Sequence, residues 1–149
     1  MQVSDCMSKK VELGNPTMTL REAAAKMRQG DFGILPIAEN DRLVGMLTDR
    51  DIVVRAVAEG KDISESIARD YMSHSVFYCY DDDSVAEVLK KFGEQQIRRL
   101  PVLNRQKRLV GILSLGDVAQ ADPPSESLEE TLIQVSSKEK PTRAGMQLS

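Results

Sequence analysis

Two stretches carry residue types suited to holding a small phosphorylated or hydroxylated molecule, Thr48-x-x-Asp51 and Ser114-x-x-Asp117. A Thr or Ser hydroxyl at a helix start can donate to a phosphate oxygen, beside free backbone N–H groups and the positive end of the helix dipole. A carboxylate one turn further in can accept from both hydroxyls of a ribose, one of which deoxynucleosides lack. The same spacing is also that of a capping box, with Asp replacing the usual Glu, in which both side chains serve only the helix end. The two uses are compatible, and both stay open. Other chemistry is poorly supplied. His74 is the sole histidine, so there is no multi-His metal cluster, and nothing marks it as part of a Ser-His-Asp triad. Cys6 and Cys79 are too few for a disulfide framework or a four-ligand zinc site, and they read as small apolar packers. Asp81-Asp82-Asp83 puts negative charge at a helix start, which is ordinary dipole compensation. No nucleophile–base pair can be named, so an enzyme is not expected.

The two stretches belong to an internal repeat. Pro36-Ile37-Ala38 matches Pro101-Val102-Leu103 at an offset of 65, and Leu43-Val44-Gly45-Met46-Leu47-Thr48 matches Leu109-Val110-Gly111-Ile112-Leu113-Ser114 at 66. The extra residue falls in the turn between two strands, where insertion is cheapest. Upstream, Cys6-Met7-Ser8 matches Tyr71-Met72-Ser73, and Thr19-Leu20-Arg21-Glu22 matches Ser84-Val85-Ala86-Glu87, both at 65. The chain is two copies of a unit of about 60 residues. Boundaries are expected at residues 1–62 and 63–121, followed by a polar tail over 122–149.

Each copy has one plan. Thr19-x-x-Glu22 and Ser84-x-x-Glu87 are capping boxes that open helices. The first helix runs to about Gln29, with Gly30 expected as the C′ residue. The second carries Val85, Val88, Leu89 and Phe92 at helical spacing. A hairpin follows, Gly33 to Ile37 and Leu43 to Leu47 around a tight turn at Asn40-Asp41, with Pro36 expected at an edge or strand start. Copy two turns around Asn104 to Lys107. A second helix follows each hairpin, from about Asp49 to Glu59 and from about Gly116 to Gln120. In the tail, Asp122 to Ser125 reads as a linker, and Leu128, Leu132 and Val135 form a weak helical stripe before a loose C-terminus.

Composition sets the limits. The 149 residues are 41% hydrophobic and 29% charged, with 4% aromatics and no Trp, so Ile, Leu, Val, Ala and Met must build the core. A net charge of −3 argues against nonspecific nucleic-acid binding. No apolar run reaches the roughly 18 residues a membrane helix needs. Met1 to Lys10 has no apolar stretch of the signal-peptide kind. A cytoplasmic setting without membrane attachment is expected.

A hairpin followed by Gly-x-x-Thr/Ser-x-x-Asp and a helix, twice in tandem, resembles the cystathionine β-synthase (CBS) domain pair. The matching residues are Leu35-Pro36-Ile37 with Gly45-Met46-Leu47-Thr48-Asp49-Arg50-Asp51, and Leu100-Pro101-Val102 with Gly111-Ile112-Leu113-Ser114-Leu115-Gly116-Asp117. The resemblance implies a mixed α/β (α+β) fold of two repeats, each a small sheet with two packed helices, related by pseudo-two-fold symmetry. It also implies a noncatalytic sensor that binds AMP, ADP, ATP or S-adenosylmethionine between the repeats and requires no cofactor. In that family the Asp holds ribose and the Thr or Ser reaches phosphate, here Asp51 and Asp117 with Thr48 and Ser114. Basic residues at the positions of Arg98 and Arg99 often contact phosphate there, and Arg forks suit it. Copy one has Gly33 and Ile34 instead, but carries Arg50 within its motif. Tyr78 and Tyr80 stand where the family often lines an adenine pocket, though core packing serves them equally.

A regulated protein acting in trans is implied, as is a homodimer through helical faces carrying Ala24, Met27, Ile52, Val53, Ala56, Val88 and Val118. Folding back of Leu128 to Val135 would cover that patch within one chain. The competing function is a protein- or nucleic-acid-interaction module with vestigial ligand clefts.

Overall fold

The computed structural model describes residues 1–121, 125–136 and 146–147; Asp122 to Pro124 of the expected linker and most of the expected loose C-terminus lie outside them. The chain forms two compact units that cut across the sequence repeats. One comprises Met1–Val11 with Phe77–Gly145, the other Glu12–Val76 with Met146–Ser149. Each hairpin therefore takes its lead-in segment from outside its own repeat.

The unit of Glu12–Val76 contains helix α1 (Leu20–Gly30) and the antiparallel pair β1 (Ile34–Glu39) and β2 (Arg42–Thr48). Thr19 caps α1 through a full box, its hydroxyl accepting from Glu22 N–H at 3.1 Å. The helix ends on Asp31 in the left-handed region rather than on the expected Gly30, which stays helical. Short polar Asp tolerates that conformation better than most residues. Asn40 and Asp41 both have positive φ, 55° and 62°, as a two-residue hairpin turn of matching twist demands. Pro36 lies inside β1 rather than at its start, and β1 is an edge strand of its two-stranded sheet, which is the edge alternative. The Pro36 carbonyl accepts from Gly14 N–H at 2.9 Å, so the missing donor points the same way, past the end of that short contact, and no ladder bond is forfeited. Ser73 exchanges both backbone bonds with Met46, at 2.8 and 3.0 Å, and β3 (Ser75–Val76) pairs with β7 (Met146–Gln147). Leu20, Leu35, Ile37 and Leu47 are fully buried with Met18, Met27 and Ala68 around them.

The other unit repeats the plan with β4 (Cys79–Tyr80), α2 (Val85–Gln95), β5 (Arg99–Leu103), β6 (Leu109–Ser114) and α3 (Leu115–Gln120). The sheet order is β4-β5-β6, parallel then antiparallel. Ser8 exchanges both backbone bonds with Ile112, as Ser73 does with Met46. Ser84 starts α2 without the expected side-chain cap. Here the N-terminal segment supplies partners, Met1 carbonyl accepting from Val85 N–H at 3.0 Å and Asp83 carbonyl from Val3 N–H at 2.9 Å. Phe92, Leu89, Val88, Leu100, Val102 and Leu113 form the core with Val3.

The outer surfaces differ. The tail forms α4 (Ser125–Val135), which lies along α2; buried Thr131 donates to Leu89 carbonyl at 3.1 Å, and Leu128 and Val135 pack on the core. The folding-back alternative therefore holds for this unit. Most of the apolar patch expected at a dimer face is not exposed at all. Met27, Ile52, Ala56, Val88 and Val118 are buried inside their own units, because both helical segments of each unit turn their apolar sides onto its own core. Val53 remains, 56% exposed, joined by Val54 and Val57. These valines sit on a π-helical segment, Asp51–Val57, closed by i→i−5 bonds such as Ala58 N–H to Val53 carbonyl at 2.9 Å. The sequence alone predicts an ordinary helix here.

Candidate functional site

Gly45 and Gly111 open the two motifs for a packing reason. A Cβ on Gly45 would lie 2.8 Å from Ser73 carbonyl oxygen, and one on Gly111 would lie 2.8 Å from Ser8 carbonyl oxygen. Only glycine lets the crossing segment approach so closely. Three residues later each strand ends in a hydroxyl and turns into a helix.

At that turn both capping boxes are formed. Thr48 N–H donates to Asp51 Oδ2 at 2.9 Å, and Asp51 N–H donates to Thr48 Oγ1 at 3.0 Å. In the other unit Ser114 N–H donates to Asp117 Oδ2 at 3.0 Å, and Asp117 N–H donates to Ser114 Oγ at 3.0 Å. The local alternative of the sequence reading is thus realised twice. It does not exhaust the groups. Each hydroxyl accepts and keeps its proton to give, and each Oδ1 has no protein partner among the described residues. All four side chains are half-buried. One donor and one acceptor per box therefore stay uncommitted among the described residues.

Strand register decides which neighbours share that face. Arg99 pairs directly with Ser114, and Ile34 with Thr48. Side chains directly opposite in an antiparallel pair lie on one side of the sheet. Arg99 therefore flanks the Ser114 box, while an isoleucine flanks the Thr48 box. Arg98 is adjacent, its carbonyl accepting from Leu115 N–H at 3.1 Å, as Gly33 carbonyl accepts from Asp49 N–H at 2.9 Å. Arg98, Arg99 and Arg50 are exposed, and among the described residues their guanidinium groups join no ion pair.

The tyrosines are placed differently. Tyr78 is 7% exposed, packs edge-on against Tyr80 at 5.7 Å and receives Lys91 Nζ at its carbonyl at 3.1 Å. Burial, then the Tyr80 hydroxyl, pushes its phenol pKa up. Tyr80 pairs with Leu103, at the opposite end of β5 from Arg99 and hence roughly 13 Å along the strand from the box. One of its faces is covered by the Arg105 guanidinium, 4.1 Å from the ring centroid, which also forks onto Asp82 at 2.7–3.0 Å. The register does not bring Tyr80 to Ser114 and Asp117. Nothing in the sequence marks Arg105, since a turn arginine carries no motif.

The thiols are protected rather than activated. Burial and then the Asp83 charge push Cys79 up to about 12, and Cys6 is raised by burial first and Asp117 second. Among the described residues no three His, Cys, Asp or Glu side chains gather to hold a metal ion, and no helix is long and apolar enough to cross a membrane.

This arrangement, twice in one chain, is matched by the CBS domain model over residues 3–57 and 68–124; the chain belongs to the CBS domain family. It is 37% identical over 134 residues to the CBS domain-containing protein YhcV of Bacillus subtilis, covering 90% of this chain and 94% of that one. The crystal structure of Hypoxic Response Protein I, solved with two coordinated zinc ions, superposes with a TM-score of 0.75 at 39% identity, over 83% of this chain and all of that one. The CBS domain pair of protein MJ0100, solved with 5′-methylthioadenosine and S-adenosyl-L-methionine, superposes with a TM-score of 0.69 at 26% identity, over 81% and 94% of the two chains. A relative in Methanopyrus kandleri, 36% identical over 124 residues, is longer, the chain spanning 63% of it.

Proposed function

We propose that the chain is a noncatalytic regulatory module that binds an adenosine-containing ligand, AMP, ADP, ATP or S-adenosylmethionine, at its Thr48/Asp51 and Ser114/Asp117 boxes. The carrying observation is the uncommitted pair left by each formed box, a hydroxyl proton and a carboxylate Oδ1. Oδ1 suits the ribose diol and the hydroxyl suits a phosphate oxygen. Arg99, opposite Ser114, supplies the phosphate charge in one unit and Arg98 assists; in the other, Arg50 is the exposed cation beside the box, next to the Asp49 carboxylate. The adenosyl ligands named for the MJ0100 pair support this choice. A homodimer and a regulated protein in trans complete the proposal, the exposed valines of the π-helical segment offering the contact.

A second reading has a specific observation behind it: both boxes are already satisfied as caps, so the residues would serve only the helix starts. Titration calorimetry separates the two. Asp51→Asn and Asp117→Asn are each expected to weaken AMP binding at their own site by roughly tenfold to a hundredfold, the scale of a hydrogen bond to a charged group. 2′-Deoxy-AMP should bind less tightly than AMP to the unaltered chain. Equal affinities throughout, with the fold intact by circular dichroism, establish the boxes as caps alone.

A further inference from the structure

The two boxes are flanked by opposite charges, and the exchange is a paired one. In one unit the residue before β5 is Arg98 and the residue after Ser114 is Leu115, which is 8% exposed and packs into the core. In the other unit the equivalent residues are Gly33 and Asp49, joined by the same backbone hydrogen bond. The Asp49 carboxylate folds back over Gly33, so that a Cβ there would lie 2.8 Å from Asp49 Oδ2. An anion thus occupies the place from which, in the other unit, a cationic side chain departs. Glycine at position 33 is what makes room for it.

Around each box the balance differs in sign. Asp49, Arg50 and Asp51 leave one net negative charge, whereas Arg98, Arg99 and Asp117 leave one net positive charge. Asp49 also holds its neighbour's backbone, Oδ1 accepting from Arg50 N–H at 2.8 Å, which keeps the carboxylate beside the box. Ile34 opposite Thr48 offers no compensating charge, where Arg99 stands opposite Ser114.

We propose that Asp49 and Gly33 make the Thr48/Asp51 site discriminate against phosphate, so that it takes uncharged or cationic adenosyl compounds, while the Ser114/Asp117 site takes phosphorylated ones. The assignment rests on adenosyl binding at the two boxes and divides that binding by ligand charge. Asp49 is here a specificity-determining residue, acting by repulsion of an anionic group.

The test uses the full chain and two probes, AMP and adenosine, titrated by calorimetry in low salt. Asp117→Asn weakens one site and lets the Thr48/Asp51 site be followed; Asp51→Asn does the converse. The Thr48/Asp51 site should favour adenosine, and the Ser114/Asp117 site should favour AMP. Asp49→Asn, made in the Asp117→Asn background, should tighten AMP roughly three- to tenfold and leave adenosine unchanged, the scale of removing one exposed charge near the ligand. The gain should shrink in 0.5 M salt, roughly a 4 Å screening length. Gly33→Arg with Asp49→Leu transplants the other unit's pair and should raise AMP affinity further. Equal changes for AMP and adenosine on Asp49→Asn overturn the charge assignment while leaving adenosyl binding intact. Failure of both probes to bind the unaltered chain at millimolar concentration removes adenosyl binding, and the charge assignment falls with it.

Discussion

The helix packed against its hairpin core has a different outer face in each unit. In one, α2 presents Leu89 and Gly93 to a further helix, α4, and a Cβ on Gly93 would collide with the Gln134 side chain. In the other, α1 is Ala-rich and charged outside, needs no cover, and the exposed apolar residues are Val53, Val54 and Val57, 47–56% exposed. Two copies of one plan thus solve the same surface problem by different means. The cores stayed alike because the hairpin and first helix must bury the same face. The outer faces diverged because neither backbone pairing nor the box depends on them.

The largest break in this comparison is removal of α4. A chain ending at Asp122 exposes Leu128 and Val135 partners on α2, and should lose about 3 kcal/mol by urea unfolding, the burial of about two half-buried aliphatic side chains plus a hydrogen bond. Unchanged stability would mean that α4 rests on α2 without being bound by it. Thr131→Val, which keeps the shape and deletes one buried bond, is expected to cost about 1 kcal/mol in the same assay.

A smaller effect is expected where the Arg105 fork lies on exposed Asp82. The guanidinium holds the Asp82 carboxyl below the usual carboxylate range, first through the hydrogen bonds and then, against slight desolvation, through its charge. A carboxyl depressed in the folded state stabilises it above the ordinary carboxylate pKa and ceases to as pH falls through the depressed value. The melting difference between Arg105→Ala and the unaltered chain should therefore be present at pH 7 and narrow on acidification below the carboxylate range. A constant difference would assign the effect to Arg105 packing on Tyr80 instead. Smallest of all for stability is Val53→Thr with Val54→Thr and Val57→Thr, within about 0.5 kcal/mol because the sites are exposed. On the proposed homodimer, the unaltered chain should scatter light as a dimer and the same variant as a monomer. Self-association that survives it places the copy-to-copy contact elsewhere.

The offset of 65 and the Asn40-Asp41 turn made the repeat and its hairpins legible, and the hydroxyl–carboxylate spacing located both boxes. What crosses between repeats was hidden. Cys6-Met7-Ser8 and Tyr71-Met72-Ser73 are so alike that either could serve either hairpin, and only tertiary hydrogen bonding assigns Ser8 to Ile112 and Ser73 to Met46. Gly30 as a helix stop failed because the left-handed turn falls one residue later, on Asp31. The Asp49–Gly33 contact was equally invisible, since a glycine records that a side chain is absent and not what fills its place. Tyr80 was placed by position in the repeat, and the register of β4 on β5 sets it at the Leu103 end of that strand, away from Ser114.

The interlacing of the N-terminal segment with the later repeat also sets an order of events on the ribosome. Val3 donates to the carbonyl of Asp83, a residue made 80 positions later. At roughly 5–20 residues per second, that partner is synthesised about 4–16 s after Val3. The middle of the chain, Glu12–Val76, has nearly all its own partners before then, β7 being the later one among the described residues. Val3 and Met7 are thus made before the middle unit but placed after it, and for those seconds they wait as an unpaired apolar arm.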